Sequence, residues 1–183
     1  MIDNFDEFTT TLFNEAKFFL EKASLSKANP NIECSYLHAA LLLGMSALEA
    51  YINSISNELV EGGFDLSLNE KSLLSEKEIY FKKGNFQLGT NLKMYRLIDR
   101  IDFIYYKFSN NTISNTDIWN QNIKQTISLR NDLVHPKSEL KVSYSQIEAA
   151  LRNILQTIDV LYVAVYKTHV PILNYDLQST LVE

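Results

Sequence analysis

The most regular stretch of the chain is SYSQIEAALRNILQTIDVLYVAV, residues 143–165. Its aliphatic residues recur in alternating steps of four and three, which is the spacing of one face of an α-helix. Ser143 and Gln146 form a capping box that predicts the helix start, and Pro171 is predicted to end the helix. The face consists of Ile147, Leu151, Ile154, Ile158, Leu161 and Val165. The stretch therefore predicts a long helix that packs along a continuous seam.

Four further stretches have a helical pattern, and they span residues 3–26, 32–60, 91–108 and 119–134. Within them, Gly44 predicts the close approach of a second helix, and Thr90 is predicted to cap the helix that begins at residue 91. The chain has only five glycines and three prolines, and sparse turn-forming residues favour few, long elements. We therefore predict an all-α fold, a helical bundle of about five main helices in a single domain that spans residues 1–183.

In two segments the apolar residues do not recur at a regular spacing. Residues 62–89 are interpreted as a variable insertion, in which Asn69–Phe81 is predicted to form a shorter helix. The tail beyond Leu173 is expected to fray or to pack loosely.

Composition excludes several classes of protein. The single cysteine, Cys34, cannot form a disulfide within the chain, and Met1–Asp6 has neither the basic region nor the apolar core of a signal peptide. No apolar run is expected to reach a membrane span, so we expect a cytoplasmic protein without a membrane partner. Glycine-rich phosphate loops are missing, and His38, His135 and His169 are scattered. We therefore expect neither a metal site nor a cofactor.

The chemically most distinctive stretch is LRNDLVHP, Leu129–Pro136. Arg130 is always charged and presents a planar fork of donors to anions, whereas the imidazole of His135 can act as a general acid or base. Pro136 disfavours a helical conformation at the residue before it, so the helix is predicted to end at His135. Residues five apart do not share a helix face. From the helix end His135 can turn toward Arg130 of its own chain or toward the same motif of a second chain, and the guanidinium and imidazole together suggest RNA cleavage.

Arg130 interrupts an apolar stripe of its helix between Ile127 and Val134. A guanidinium in such a stripe is costly unless it finds an acceptor, so the sequence predicts either a partner carboxylate or a cleft. Glu49, inside an apolar run of the second helix, is the natural partner. We hypothesise that Glu49 orients Arg130 or His135. The alternative is that Glu49 points at solvent.

These residues resemble the motif of the HEPN family (higher eukaryotes and prokaryotes nucleotide-binding domains), an arginine followed after four to six residues by a histidine. Arg130 and His135 have four residues between them, and Asn131 supplies the polar residue that commonly follows the arginine. Ser46–Asn53 is similar to the early helix of many such domains. The resemblance covers about residues 31–170, which would be the core of a HEPN-like domain.

The resemblance implies a metal-independent endoribonuclease that leaves a 2′,3′-cyclic phosphate and a 5′-hydroxyl. His135 would be the acid or base, Arg130 would bind the scissile phosphate, and Asn131 would support them by hydrogen bonding. Such domains form homodimers whose motifs face one cleft, and many act as toxins or phage-defence effectors with an antitoxin or sensor protein as partner. Lys137 stands where one subgroup has a tyrosine that receives a nucleotide, so that form of control is not expected.

The charge balance sets the competing interpretation. The net charge of −5 is unlike that of a protein that coats nucleic acids, so RNA binding needs a local basic patch. Lys137, near Arg130, is one candidate for such a patch. Lys82 and Lys83 are a second. Each lysine is also consistent with a plain solvated surface. The alternative function is a non-catalytic HEPN-fold module, an RNA- or nucleotide-binding unit or a dimeric scaffold, in which Arg130 is a structural cation paired with Glu49.

Overall fold

The computed structural model describes residues 3–114 and 117–181, with side chains described from residue 7 onward, so the predicted domain ends lie outside the described ranges. Within these ranges the chain forms six α-helices, one antiparallel hairpin and a short 3-10 turn. In chain order they are α1 (Asp3–Leu25), α2 (Pro30–Glu61), α3 (Leu68–Ser75), β1 (Lys77–Lys82), β2 (Asn85–Leu92), α4 (Leu97–Ser109), α5 (Ile118–Val134), α6 (Tyr144–Tyr166) and the 3-10 turn (Pro171–Tyr175). The predicted all-α helical bundle is confirmed, with five long helices and the short α3.

Helix α6 lies at the centre of the bundle and contacts α1, α2, α4 and α5. Its predicted seam is confirmed, because five of the six residues are at most 1% exposed and only Val165 is partly buried. The capping box is also present, since Ser143 N donates to Gln146 Oε1 at 2.9 Å and Gln146 N donates to Ser143 Oγ at 3.3 Å. The periodic stretch thus forms the wall against which the other long helices pack.

The predicted end of α6 at Pro171 is wrong. The helix ends at Tyr166, and Lys167 adopts the left-handed conformation with φ of 60°. The ammonium of Lys167 folds back and donates to Ala164 O at 2.7 Å and to Phe108 O at 3.0 Å. A lysine that binds the last carbonyls of a helix satisfies groups that the helix leaves unpaired. Pro171 instead begins the 3-10 turn.

Helix α2 is the longest element and packs against α1 and α6. Asn29 caps its start by accepting a hydrogen bond from Ile32 N, and Gly62 ends it. The helix is long and apolar enough to cross a membrane by length and composition, so the expectation that no apolar run reaches a membrane span was too strong. In its most apolar window, 61% is buried inside the bundle, and burial on several sides accounts for its apolar character.

Gly44 lets α6 approach α2 closely, as predicted. A Cβ atom at this position would overlap Leu151 Cδ2 and would lie 3.2 Å from Ile154 Cδ1. Both of these α6 side chains are fully buried, so they have little room to move.

Gly44→Val is therefore expected to lower the free energy of unfolding by about 3 kcal/mol through overpacking. Urea denaturation followed by circular dichroism measures the change. Ser46→Val, on the exposed face of the same helix, is the matched control and should change stability by less than about 0.5 kcal/mol. Equal midpoints for the two variants would contradict the close helix contact.

The prediction of a helix over Asn69–Phe81 is wrong in its second half. Helix α3 stops at Ser75 because Glu76 adopts a left-handed conformation with φ of 51°. The chain then forms the hairpin, whose two-residue turn has positive φ at both Lys83 (53°) and Gly84 (86°). A turn of this kind matches the twist of paired strands, and glycine favours it.

The hairpin also corrects the start of the next helix. Thr90 lies in β2 and caps nothing, and α4 begins at Leu97 with Arg96 at the capping position. Residues 91–96, predicted to be helical, instead complete the hairpin and the loop after it. In that loop Met94 is 80% exposed, although the helical pattern predicts it on the apolar face.

The expectation of a loose tail beyond Leu173 is wrong. Leu177 is buried, and Ser179 binds α1 through two hydrogen bonds, from its N to Glu21 Oε1 at 2.8 Å and from its Oγ to Asn14 O at 3.1 Å. The tail therefore covers part of α1 that would otherwise face solvent.

Helix α1 contains a buried lysine, Lys17. The Lys17 side chain has no exposed surface, and its Nζ has no hydrogen-bond partner among the described residues. Burial lowers the pKa of Lys17 to about 8, although the carboxylates of Asp176 and Glu21 act in the opposite direction.

The buried lysine predicts a pH dependence of stability. Lys17 keeps its ordinary pKa of 10.5 when the chain is unfolded, so between about pH 8 and 10.5 the unfolded state binds more protons than the folded state. The free energy of unfolding should therefore rise across this interval. Lys17→Met is expected to flatten the rise and to add about 1–3 kcal/mol of stability at pH 7. Urea denaturation from pH 7 to 10 checks this, and the control Lys27→Met, at an exposed lysine, should keep the rise.

Candidate functional site

Arg130 lies just before the last turn of α5 and reaches a cleft of about 170 Å³ between α2, α4 and the base of the hairpin. Its Nη2 donates a hydrogen bond to Glu49 Oε1 of α2. The predicted contact between Glu49 and Arg130 is confirmed. The two side chains remain 44% and 24% exposed, respectively, so solvent still reaches the pair.

The contact with Glu49 does not satisfy every hydrogen-bond donor of the Arg130 guanidinium. Its Nε is buried and has no hydrogen-bond partner within residues 3–114 and 117–181. A buried donor without an acceptor costs free energy, and a ligand or an ordered water that accepts a hydrogen bond from it would recover part of that cost. An anion that enters the cleft would find a charged donor there, but it would compete with Glu49.

A second arginine, Arg100 of α4, lines the same cleft and is 4% exposed. Its Nη2 donates to Asn53 Oδ1 at 2.8 Å, to Ser56 Oγ at 3.1 Å and to Leu74 O at 3.1 Å. Its Nη1 forms an ion pair with Glu76 Oε2 at 3.2 Å. Arg100 therefore joins α2, α4 and the end of α3 at the floor of the cleft.

Two opposing effects act on the pKa of Arg100. Burial lowers it, and the nearby carboxylates of Glu76 and Glu49 raise it. An arginine stays charged even after such a shift. The cleft thus contains two guanidinium groups and two carboxylates, and its formal charges balance.

Sequence reasoning missed Arg100, but two signals were present. Arg100 lies between Leu97 and Ile104 on the apolar face of its helix, as Arg130 does in α5. On α2, Glu49, Asn53 and Ser56 follow each other at steps of four and three, which places three polar side chains on one face of a largely apolar helix. A search for interrupted apolar stripes would have found both.

His135 lies immediately after the end of α5, as predicted from Pro136. Its backbone N–H donates to Asn131 O at 2.8 Å, and the side chains of both residues are exposed. No hydrogen bond of the His135 imidazole to another described residue is present. The histidine is not among the residues that line the Arg130 cleft.

The chain continues from His135 into a second pocket of about 540 Å³, lined by Pro136, Lys137 and the residues that follow, together with Leu133. His38 of α2 also lines this pocket, and its Nε2 contacts Cys34 Sγ at 3.4 Å. Lys137 is exposed at the rim. One chain therefore presents Arg130 in one pocket and the residues after His135 in another, so it does not bring the two motif side chains into a single pocket.

The site offers little to a metal ion. No group of three or more His, Cys, Asp or Glu side chains in the described part of the chain could hold one. The chemistry available is that of an exposed imidazole, two guanidinium groups and the carboxylates that orient them.

Comparisons with protein-family models, with curated proteins and with solved structures found no match to this chain.

Proposed function

We propose that the protein is an endoribonuclease of the HEPN type, which cleaves RNA without a metal ion and acts as a toxin or phage-defence effector. The observation that carries the proposal is the position of Arg130, with four residues between it and a solvent-exposed His135, in a cleft where the α2 carboxylate of Glu49 holds it. An exposed imidazole at a helix end is accessible to a substrate, and a half-buried arginine can stabilise charge in a partly desolvated site.

In the proposed reaction a ribose 2′-hydroxyl attacks the adjacent phosphate, and the bond to the 5′-oxygen of the next nucleotide breaks. His135 accepts the proton of the attacking hydroxyl or donates one to the leaving oxygen. Arg130 binds the phosphate and stabilises the additional negative charge of the transition state. The products are a 2′,3′-cyclic phosphate and a 5′-hydroxyl, and all atoms are accounted for without water or a cofactor.

Three other residues have supporting roles. Glu49 is a positioning residue, because it binds the guanidinium of Arg130 and can release it toward a phosphate. Asn131 is exposed on the same turn as Arg130 and can hydrogen-bond the phosphate or the imidazole. Lys137, exposed beyond the helix end, contributes a cation for the RNA backbone.

The functional unit we propose is a homodimer. Within one chain, Arg130 and the residues after His135 line different pockets, so a complete site needs a second copy that brings its own motif to the cleft. Each active site is then composite, with an imidazole from one copy near a guanidinium of the other. An antitoxin or sensor protein that separates the copies would switch off the activity.

A non-catalytic module is the second candidate, and one observation favours it. Arg130 already has a carboxylate partner, so the pair can serve as a structural link between α2 and α5 without any substrate. In that case the exposed motif is a binding surface.

One experiment separates the two candidates. Purified protein is incubated with labelled RNA in the presence of a metal chelator, beside an Arg130→Ala, His135→Ala double variant. Fragments that end in a 2′,3′-cyclic phosphate, produced by the natural sequence and not by the variant, would support the nuclease. The same fragments from both proteins, or none from either over a broad panel of RNAs, would support the non-catalytic module.

A further inference from the structure

The hairpin β1–β2 begins and ends at the Arg130 cleft. Glu76, the residue before β1, and Met94 and Tyr95, shortly after β2, all line that cleft. The base is held in place, because Lys93 N donates to Glu76 O at 2.8 Å and the hydroxyls of Ser72 and Tyr95 are 2.9 Å apart. The strands therefore extend from the rim of the candidate site as an arm of roughly 20 Å, at about 3.3 Å per residue.

The far end of the arm exposes two phenylalanines. Phe81 and Phe86 pair across the strands with ring centroids 5.2 Å apart, yet they remain 63% and 68% exposed. Neighbouring large apolar side chains that are left in water commonly mark an interaction site. The contact between the two rings can stabilise the hairpin, but more than half of the surface of each residue still faces water.

The charge of the arm is opposite to that of the whole protein. In the hairpin, Lys77–Leu92, the chain has three basic residues and one acidic residue, Glu78, although the net charge of the protein is −5. Two of the three basic residues, Lys82 and Lys83, lie at the tip beside the phenylalanines, and no ion pair in the described part of the chain involves them. The tip is therefore a basic and aromatic spot on an acidic protein.

Aromatic rings beside lysines match the chemistry of a single-stranded nucleic acid, whose bases stack on rings while the phosphates bind cations. We infer that the hairpin tip binds single-stranded RNA and guides it into the Arg130 cleft at the base of the arm. The guiding role rests on the proposed nuclease function, whereas the binding role can be measured by itself.

The test measures, by anisotropy, binding of a fluorescein-labelled single-stranded RNA whose 2′-hydroxyls are methylated, so that the RNA lacks the attacking group and stays intact, and the natural sequence is the parent protein. Adding Phe81→Ala and Phe86→Ala is expected to weaken binding about tenfold or more, because each ring that stacks on a base contributes separately to affinity. Adding Tyr106→Ala instead, at an exposed aromatic residue of α4, is the matched control and should leave affinity unchanged. Circular dichroism checks that each variant is folded.

A second pair of substitutions tests the charges. Lys82→Gln with Lys83→Gln should lower the slope of log affinity against log salt by about 0.7 for each phosphate that the lysines neutralise in the natural sequence. The inference would be overturned if the lysine variant kept the salt slope and the phenylalanine variant kept the affinity of the natural sequence. It would also be overturned if the natural sequence bound lipid vesicles or duplex RNA but no single-stranded RNA.

RNA binding by the arm and RNA cleavage at the motif can fail independently. If the phenylalanine variant loses RNA binding while His135→Ala still cleaves like the natural sequence, the arm is an RNA-binding element and the proposed reaction is wrong. If His135→Ala abolishes cleavage while the phenylalanine variant binds normally, the reaction stands and the arm has no part in RNA binding.

Discussion

His135→Ala is expected to reduce RNA cleavage by about 10²- to 10⁴-fold, the usual contribution of a general acid or base. The substitution should leave the stability of the protein unchanged, because the side chain is exposed and has no hydrogen bond with another described residue. Cleavage rates of a labelled RNA in chelator measure the first effect, and urea denaturation measures the second. A large loss of activity without loss of stability is the result that a structural histidine would not produce.

His169→Ala is the matched control for this prediction. His169 is likewise exposed, and its Nδ1 contacts Asp159 near the end of α6, so the substitution removes an imidazole outside the motif. It should leave the cleavage rate within a factor of about two of the natural protein. Equal rates for the two histidine variants would refute a catalytic role for His135.

Arg100→Ala is expected to lower the free energy of unfolding by about 3–5 kcal/mol, which is the range for removal of one partner from a buried charged network. The substitution leaves Asn53, Ser56 and Leu74 O without their donor and leaves Glu76 without its cation. Thermal and urea denaturation measure the loss. Because these groups line or support the cleft, the same variant should also lose RNA cleavage through disorder of the site.

Arg96→Ala, at the capping position before the same helix, provides the control. Arg96 pairs with Asp99 on the surface, where its side chain is 79% exposed. An exposed pair of this kind contributes about 0.5 kcal/mol or less, since both charges stay hydrated. If the two variants were equally stable, the buried network around Arg100 would not be a structural element of the fold.

The sequence predicts the parts of the fold that depend on local patterns of neighbouring residues. The α6 seam follows from a spacing of three and four, and the end of α5 follows from the proline after His135. The Glu49–Arg130 contact was also predictable, although 81 residues separate the partners, because each charge interrupts an apolar stripe and each therefore needs the other. The burial of Arg100 could have been predicted for the same reason, because it also interrupts an apolar stripe.

The hairpin and the tail were not predictable in this way. Residues 69–81 mix polar and apolar side chains without a clear period, and Lys83-Gly84 is a weaker turn signal than the asparagine–glycine pair that usually marks a two-residue hairpin. The tail lacks a long apolar period, and its place on α1 depends on two hydrogen bonds from Ser179 to residues more than 150 positions earlier.

Local sequence is enough to define most of the helices, their apolar faces and the residue types of the site, because helical periodicity and caps act over a few neighbouring positions. Long-range packing is needed to bring Arg100 and Arg130 into one cleft, to leave His135 outside it and to place a basic arm at its rim. These arrangements depend on which helix faces pack together, and that choice is made by the burial of apolar surface over the whole chain rather than by any local pattern.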